Sequence, residues 1–172
     1  QSTNITIYAH SNSKEGTYFA PAKLYKDATL EYYREHPVIT FDTIYGKGEY
    51  KVIAVMLVNT DVESEELFNF QDYIDLNEEG FNAYIEKVRA HSYFENPDVD
   101  VKYGDQLLTL STCDDEIVES NTMPYRVALV ARKTRSGESR DVDVSQAEPN
   151  EDVVMPAAWV EKFGVNTPFE RE

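Results

Sequence analysis

The sequence predicts a mainly β fold with helical additions, of the α+β class, and three observations support that prediction. Several runs combine β-branched and aromatic residues, the clearest being 50–58 and 125–131. Two glycines within 46–48 suit a hairpin turn between 38–43 and 50–58. The stretch 78–91 instead places apolar side chains at helical spacing. With 172 residues, 41% of them hydrophobic, the chain is long enough for one domain with a core.

The first predicted elements are a strand and a helix. Residues 4–8 alternate polar and apolar side chains, which predicts a strand that ends close to His10. A helical pattern begins at Pro21 and is stopped by Pro37, and three apolar side chains recur along it at intervals of four. Those three are Leu24, Ala28 and Tyr32.

The second half of the chain predicts further strands and helices. A short helix is expected at 65–70 within an acidic, irregular stretch, and a strand is expected at 108–113. The segment 136–150 is rich in Glu, Asp, Ser and Gly, which predicts a loop or mobile arm. After it, 155–163 predicts a helix whose Trp159 docks on the sheet.

Composition excludes several classes of function. The formal charge of −16 and the pI near 4.5 argue against a basic surface for nucleic acid or an anionic membrane, and favour solubility as the role of the acidic residues. A single cysteine excludes an intramolecular disulfide and a multi-cysteine metal site. The three histidines lack paired ligand spacing, so no metal is expected. The sequence contains no run of about 18 apolar residues, so no membrane-spanning segment is expected in it.

Three residues could supply thiol chemistry. Cys113 ends a strand-like run after polar neighbours, Arg126 opens the next run, and His10 follows the first strand. Thiol catalysis needs a thiolate, a base for the proton and a donor for the developing oxyanion, which these side chains could provide. The alternatives are a buried structural cysteine, a surface histidine and a surface ion pair. The acidic run 114–116 disfavours a thiolate, so a compensating cation is needed, and His10 and Arg126 are the candidates.

The remaining histidines and two later arginines are interpreted as structural or surface residues. His36 and His91 each fall at the end of a predicted helix, where a partly protonated imidazole interacts favourably with the helix dipole. Arg132 and Arg135 lie later on the second run and are predicted to be exposed charges at a strand end.

The same residues carry a resemblance to a known family. Thr109-Leu110-Ser111-Thr112-Cys113 matches the TLxTC signature of sortases, the cysteine transpeptidases of Gram-positive cell surfaces. Tyr8-Ala9-His10 resembles the sortase histidine segment. Further likeness to class B sortases comes from Phe41-Asp42-Thr43 before a hairpin, from the strand at 50–55 and from a helical insertion before the cysteine strand. The resemblance covers roughly residues 5 to 134.

The resemblance implies a closed sortase-type β-barrel, with its N-terminal strands apparently absent from this chain. In the family the catalytic histidine follows the fourth strand, whereas His10 is close to the first residue. The expected division is a catalytic barrel, N-terminally incomplete, at 1–134, and an acidic arm with a C-terminal helical extension at 135–172. A membrane anchor is expected to be missing, and the implied location is the extracellular face of the membrane of a Gram-positive bacterium.

The resemblance also implies an activity. Cys113 would attack the Thr carbonyl of a sorting-signal pentapeptide on a secreted protein, His10 would be the general acid and base, and Arg126 would hold substrate or oxyanion. The acceptor would be an amine of a peptidoglycan precursor or a pilin, and no cofactor is implied. Two alternatives stay open, a cysteine hydrolase or peptidase using the same residues, and a noncatalytic peptide-binding module. The expected substrate contacts are Ser111, Thr112, Tyr73 and Ile74.

Overall fold

The computed structural model describes residues 3–12, 17–27, 29–44, 46–117 and 124–170. The strands in these ranges are β1 (Asn4–Tyr8), β2 (Ser11–Asn12), β3 (Thr17–Tyr18), β4 (Val38–Thr40), β5 (Glu49–Asn59), β6 (Phe94–Glu95), β7 (Leu107–Cys113), β8 (Tyr125–Lys133) and β9 (Glu148–Pro149). The α-helices are α1 (Ala20–Asp27), α2 (Thr29–Glu35), α3 (Glu78–His91) and α4 (Ala157–Phe163), and 3₁₀ helices lie at Phe70–Asp72, Val144–Gln146 and Pro168–Glu170. No helix of the described ranges has both the length and the apolar character needed to cross a bilayer.

A five-stranded mixed sheet with strand order β1-β7-β8-β5-β4 forms the centre of the structure. β1 runs parallel to β7, and all the other neighbouring pairs are antiparallel. The predicted hairpin is confirmed, because β4 pairs with β5 across the turn that contains Gly46. The α+β class is confirmed as well. Within the described residues β1 and β4 are the two edges of this sheet, which therefore makes an open part of a barrel, in keeping with the prediction of an N-terminally incomplete barrel.

The sheet has two covered faces. On the face that we call the insert face, Leu107, Ala128 and Val130 pack against 3₁₀-helix and α3 side chains that include Phe70 and Tyr84. On the opposite face, here called the tail face, the buried side chains of the sheet pack against α1, α2 and the C-terminal segment. The sheet residues buried on the tail face include Val55, Leu57, Leu108, Val127, Leu129 and Ala131.

The predicted helices are confirmed in part. α3 spans Glu78–His91 as predicted, and the side chain of Asn77 caps it by accepting a hydrogen bond from the Gly80 amide at 2.9 Å. The first helical pattern forms two helices, and its predicted apolar face is confirmed at Tyr32, which packs partly buried against the tail-face core, but not at Leu24. Leu24 is 45% exposed, whereas Tyr25 and Tyr33 are buried; Ala28 lies outside the described residues. The helix expected at 65–70 is replaced by turns that precede the 3₁₀ helix.

The acidic segment after β8 makes specific contacts and does not form a detached arm. β9 pairs with β6, and Ala147 and Val153 are buried in the tail-face core. Trp159 is 1% exposed in the same core, which confirms its predicted docking. Gly164 ends α4 with φ +70°, a conformation that favours glycine. The boundary at 134/135 stays a prediction.

The predicted exposure of two arginines in this region is wrong. Arg132 is fully buried and donates two hydrogen bonds to Glu138, at 2.7 and 2.6 Å. The same carboxylate lies 2.9 Å from the amine of Lys51 and accepts a hydrogen bond from the Arg135 amide. Arg135 is partly buried and bonds Asp105 through two of its nitrogens. These charges tie the chain after β8 back onto the sheet.

The substitution Glu138→Gln is predicted to lower the free energy of unfolding by about 1–3 kcal/mol at pH 7, because Arg132 would keep a buried charge with a weaker partner. Hydrogen bonds from Arg132 hold the pKa of Glu138 well below its usual range, against the opposing effect of burial. A lowered pKa in the folded state stabilises it above the ordinary glutamate value of about 4.3, and this contribution is lost as the pH falls further. Urea unfolding at pH 7 and at acidic pH measures both effects.

The matched control for this prediction is Arg140→Gln. Arg140 pairs with Glu49 at 3.0 Å but is 64% exposed, so its loss should change the free energy of unfolding by less than about 0.5 kcal/mol. Equal effects of the two substitutions, or a Glu138→Gln effect that persists unchanged in acid, would contradict the assigned role of Glu138.

Candidate active site

The pairing of β7 with β8 sets Cys113 opposite Arg126. Cys113 is the last residue of β7, and its partner in the antiparallel register is Arg126. Because this register has no bulge, the two side chains point to the same side of the sheet, which alternation identifies as the insert face. Both residues are partly exposed, and one terminal nitrogen of Arg126 donates to the Tyr125 carbonyl at 3.2 Å.

The parallel pairing of β1 with β7 brings the segment of His10 to the same place. Tyr8 is the partner of Ser111, and the Ala9 amide donates to the Ser111 carbonyl at 3.2 Å, so the pairing extends beyond β1. His10 is two residues after Tyr8, as Cys113 is two residues after Ser111. Extending the register by these two residues would set the backbone of His10 level with Cys113; the His10 side chain is exposed.

Tyr8 belongs to this site, although the sequence reasoning did not select it. Its ring stacks with Phe70 of the insert, with 6.5 Å between ring centroids. Burial raises the pKa of Tyr8, the charge of Arg126 lowers it, and the charge of Asp72 raises it. The ring of Tyr8 therefore contacts Phe70 of the insert and lies within electrostatic range of Arg126. The position of Tyr8, two residues before His10 on an alternating strand, was the available signal.

Two lysines of α1 pair with the acidic run after Cys113. The sequence analysis offers only His10 and Arg126 as the compensating cations for this run. The amine of Lys26 lies 2.6 Å from a carboxylate oxygen of Asp114, and both side chains are buried. Lys23 lies 2.7 Å from Asp115. No local pattern signals these pairs, because about 90 residues of sequence separate the partners.

Two expected substrate contacts come from β7 itself, and the structure separates them. Ser111 has the orientation of Cys113 on the insert face, whereas Thr112 points to the tail face. Each is only 1% exposed. The Thr112 side chain thus lies on the opposite face of the sheet from Cys113, and substrate contacts for Ser111 and Thr112 both stay predictions.

The other two expected contacts lie in the insert. Tyr73 stacks on Tyr84, with 4.6 Å between ring centroids, so it is held as part of the insert-face packing. The Ile74 carbonyl accepts from the amide of Asn4, at the start of β1, while its side chain is 49% exposed. The start of β1 lies about 20 Å from the level of His10, at about 3.3 Å per residue. The backbone of Ile74 thus lies at the start of β1, and substrate contacts for Tyr73 and Ile74 stay predictions.

The other histidines are at helix ends, as predicted. His36 follows α2, and its ring lies 4.4 Å from that of Tyr32. His91 ends α3, where its ring Nδ1 donates to the Lys87 carbonyl at 2.8 Å. Burial lowers the pKa of His91, which favours the neutral ring over the partly protonated one that was expected. Among the described residues, no group of three or more His, Cys, Asp or Glu could hold a metal ion.

Comparison with known proteins identifies sortases. Sortase B of Listeria monocytogenes is 32% identical over 116 residues, covering 66% of this chain and 42% of the relative. Sortase B of Staphylococcus aureus is 26% identical over 132 residues, covering 75% of this chain and 48% of the relative. The crystal structure of Staphylococcus aureus sortase B superposes with a TM-score of 0.58 at 27% identity, over 78% of this chain and 57% of that chain. No protein-family model matches the chain.

The fold and these relatives define the class of protein. The chain is a class B-like member of the sortase family, which confirms the resemblance carried by Thr109–Cys113. It spans about half the length of the curated relatives that it matches.

The strand register makes a prediction about thiol accessibility. Iodoacetamide should alkylate Cys113 in the folded protein, because this side chain is partly exposed. A cysteine placed one residue earlier, in the variant Thr112→Cys/Cys113→Ala, should react at least about tenfold more slowly, because position 112 is buried on the tail face. Mass spectrometry of the adduct measures both rates, and circular dichroism checks that each protein is folded. Equal rates in the two folded proteins would show that the assigned register is wrong.

Proposed function

We propose that the chain carries the active site of a cysteine transpeptidase of the sortase type, with Cys113 as nucleophile, His10 as general acid and base, and Arg126 as the oxyanion donor. The observation that carries this proposal is the register of three adjacent strands. The parallel β1–β7 pairing and the antiparallel β7–β8 pairing set these residues at one end of the sheet. β7, which ends at Cys113, lies between β1 and β8.

The first half of the reaction would form a thioester. The thiolate of Cys113 attacks the carbonyl carbon of a threonine in the peptide, and negative charge develops on the carbonyl oxygen. The guanidinium of Arg126, on the same face, can donate hydrogen bonds to that oxygen. As the carbon–nitrogen bond breaks, the amine leaves with a proton from His10, and the acyl group remains on the sulfur.

The second half would transfer the acyl group. An incoming amine attacks the thioester carbonyl, and His10 accepts the proton of the amine. The carbon–sulfur bond then breaks, which releases the new amide and regenerates the thiolate of Cys113. The proposed donor is a secreted protein with a sorting signal, and the proposed acceptor is an amine of a peptidoglycan precursor or a pilin. This places the reaction at the cell surface of a Gram-positive bacterium. A hydrolase would differ only in using water as the acceptor.

Substrate contacts follow from the exposed part of the site. A peptide next to Cys113 would lie on the insert face, with Tyr8 and the 3₁₀ helix at Phe70–Asp72 beside it. Ser111 lies beneath this surface on the same face. Ile74 would contact residues of the peptide that are distant from the scissile bond, since its backbone lies at the start of β1.

The decisive test is mass spectrometry of the protein incubated with a panel of sorting-signal peptides, with and without a short amine acceptor. We predict a peptide adduct on Cys113 that the amine discharges as a new amide product. Cys113→Ala should form no adduct, and His10→Ala and Arg126→Ala should each slow adduct formation by roughly 100- to 1000-fold.

A matched control comes from the other exposed histidine. His36→Ala removes an imidazole at the end of α2 and should leave adduct formation within about twofold of the wild-type rate. Discharge by water alone at high amine concentration would favour the hydrolase. Peptide binding without any adduct would favour the noncatalytic module and contradict the proposed chemistry.

A further inference from the structure

The segment that follows Cys113 is held from the tail side of the sheet by a buried lysine. The side chain of Lys26, on α1, is 5% exposed, and its amine lies 2.6 Å from an oxygen of Asp114 and 2.6 Å from an oxygen of Glu116. Asp114 is fully buried. The buried ammonium of Lys26 and the buried carboxylate of Asp114 need such close contacts, because bulk water cannot solvate either charge.

Asp114 connects this ion cluster to the proposed active site. It directly follows Cys113, and its amide donates to the carbonyl of Tyr125, the neighbour of Arg126, at 3.0 Å. Its second carboxylate oxygen accepts from the Glu116 amide at 3.0 Å. The carboxylate that Lys26 binds therefore belongs to the turn that ends β7 beside β8.

Charges from several elements surround this cluster. Asp27 lies 3.5 Å from the Lys26 amine, and Lys162 of α4 donates to the backbone carbonyls of Glu116 and Ile117. Burial lowers the pKa of Lys26, but the charge and hydrogen bonds of Asp114 and the hydrogen bond of Glu116 outweigh it and raise the value. Lys26 therefore remains charged at neutral pH. Among the described residues, the other charged or titratable groups near this turn include Tyr8, His10, Lys23, Asp72, Asp115, Tyr125 and Arg126.

We propose that Lys26 is a positioning residue for Cys113: its ammonium fixes the turn after β7 and balances the carboxylates of Asp114 and Glu116, so that the thiol does not face them as uncompensated negative charge. This role rests on the proposed function only in taking Cys113 as the nucleophile. It assigns a task to a lysine on the opposite face from the site, which never touches the substrate. A chain of net charge −16 needs such local compensation wherever it keeps a thiolate.

The test is the pH dependence of Cys113 alkylation by iodoacetamide, which requires no peptide. Lys26→Met should move the midpoint of the rate profile upward by roughly 0.5–1 pH unit, giving about three- to tenfold slower alkylation at neutral pH. Lys26→Arg keeps the charge and should restore a profile close to that of the wild type. A merely structural role would change stability without moving the midpoint.

Two further variants make the result decisive. Asp114→Asn removes the carboxylate beside Cys113 and should move the midpoint downward, opposite to Lys26→Met. Lys23→Met is the matched control on the same helix, and it should have little effect because its partner Asp115 is 64% exposed. If Lys26→Met does not fold by circular dichroism, Asp114→Asn decides alone.

Wild-type midpoints for folded Lys26→Met or Asp114→Asn, or shifts of the same sign in both, would overturn the proposal. Its failure is distinguishable from that of the proposed function. Shifted midpoints without any peptide adduct would leave Lys26 as the positioning residue of a reactive thiol and remove the transpeptidase. A peptide adduct with unshifted midpoints would support the transpeptidase and remove the positioning role of Lys26.

Discussion

The backbone pairing of β7 with its two neighbours is the constraint on which the site depends. β1 joins β7 in parallel and β8 joins it antiparallel, so the end of one strand, the end of the second and the start of the third meet at Cys113. Side chains alternate between faces, so a shift of one residue in the β7–β8 register would turn Arg126 away from Cys113. The packing on both faces of the sheet fixes that register. The core and the proposed chemistry thus depend on the same hydrogen bonds.

Buried ion pairs attach the segments around this sheet. Lys26 binds the turn after β7, while Arg132 and Lys51 bind Glu138 after β8. Removing one partner of such a pair leaves an uncompensated charge in a poorly solvated place, which is costly. The acidic composition was interpreted as a source of solubility. Part of it is structural, because these carboxylates hold two loops to the sheet on which Cys113 and Arg126 lie.

Local patterns predicted the strands of the site and the helix α3, because alternation and helical spacing are properties of neighbouring residues. Alternation places the Thr112 side chain on the opposite face of β7 from Cys113, which the sequence motif by itself does not show. The burial of Lys26 and Arg132 could not be predicted. Each depends on a carboxylate that only the folded chain brings near, and charged side chains are usually exposed.

A disulfide test between positions 10 and 113 addresses the central claim most directly, because Cys113 is the only cysteine of the chain. Neighbouring strands lie about 4.8 Å apart, and disulfides form between Cα atoms about 4.4–6.8 Å apart. Under mild oxidation, His10→Cys should form an intramolecular disulfide with Cys113, seen by mass spectrometry as a loss of about 2 Da with no thiol left to alkylate. His36→Cys, at the end of α2, should keep both thiols free. Two free thiols in oxidised, folded His10→Cys would contradict the account, because His10 would then not be level with Cys113.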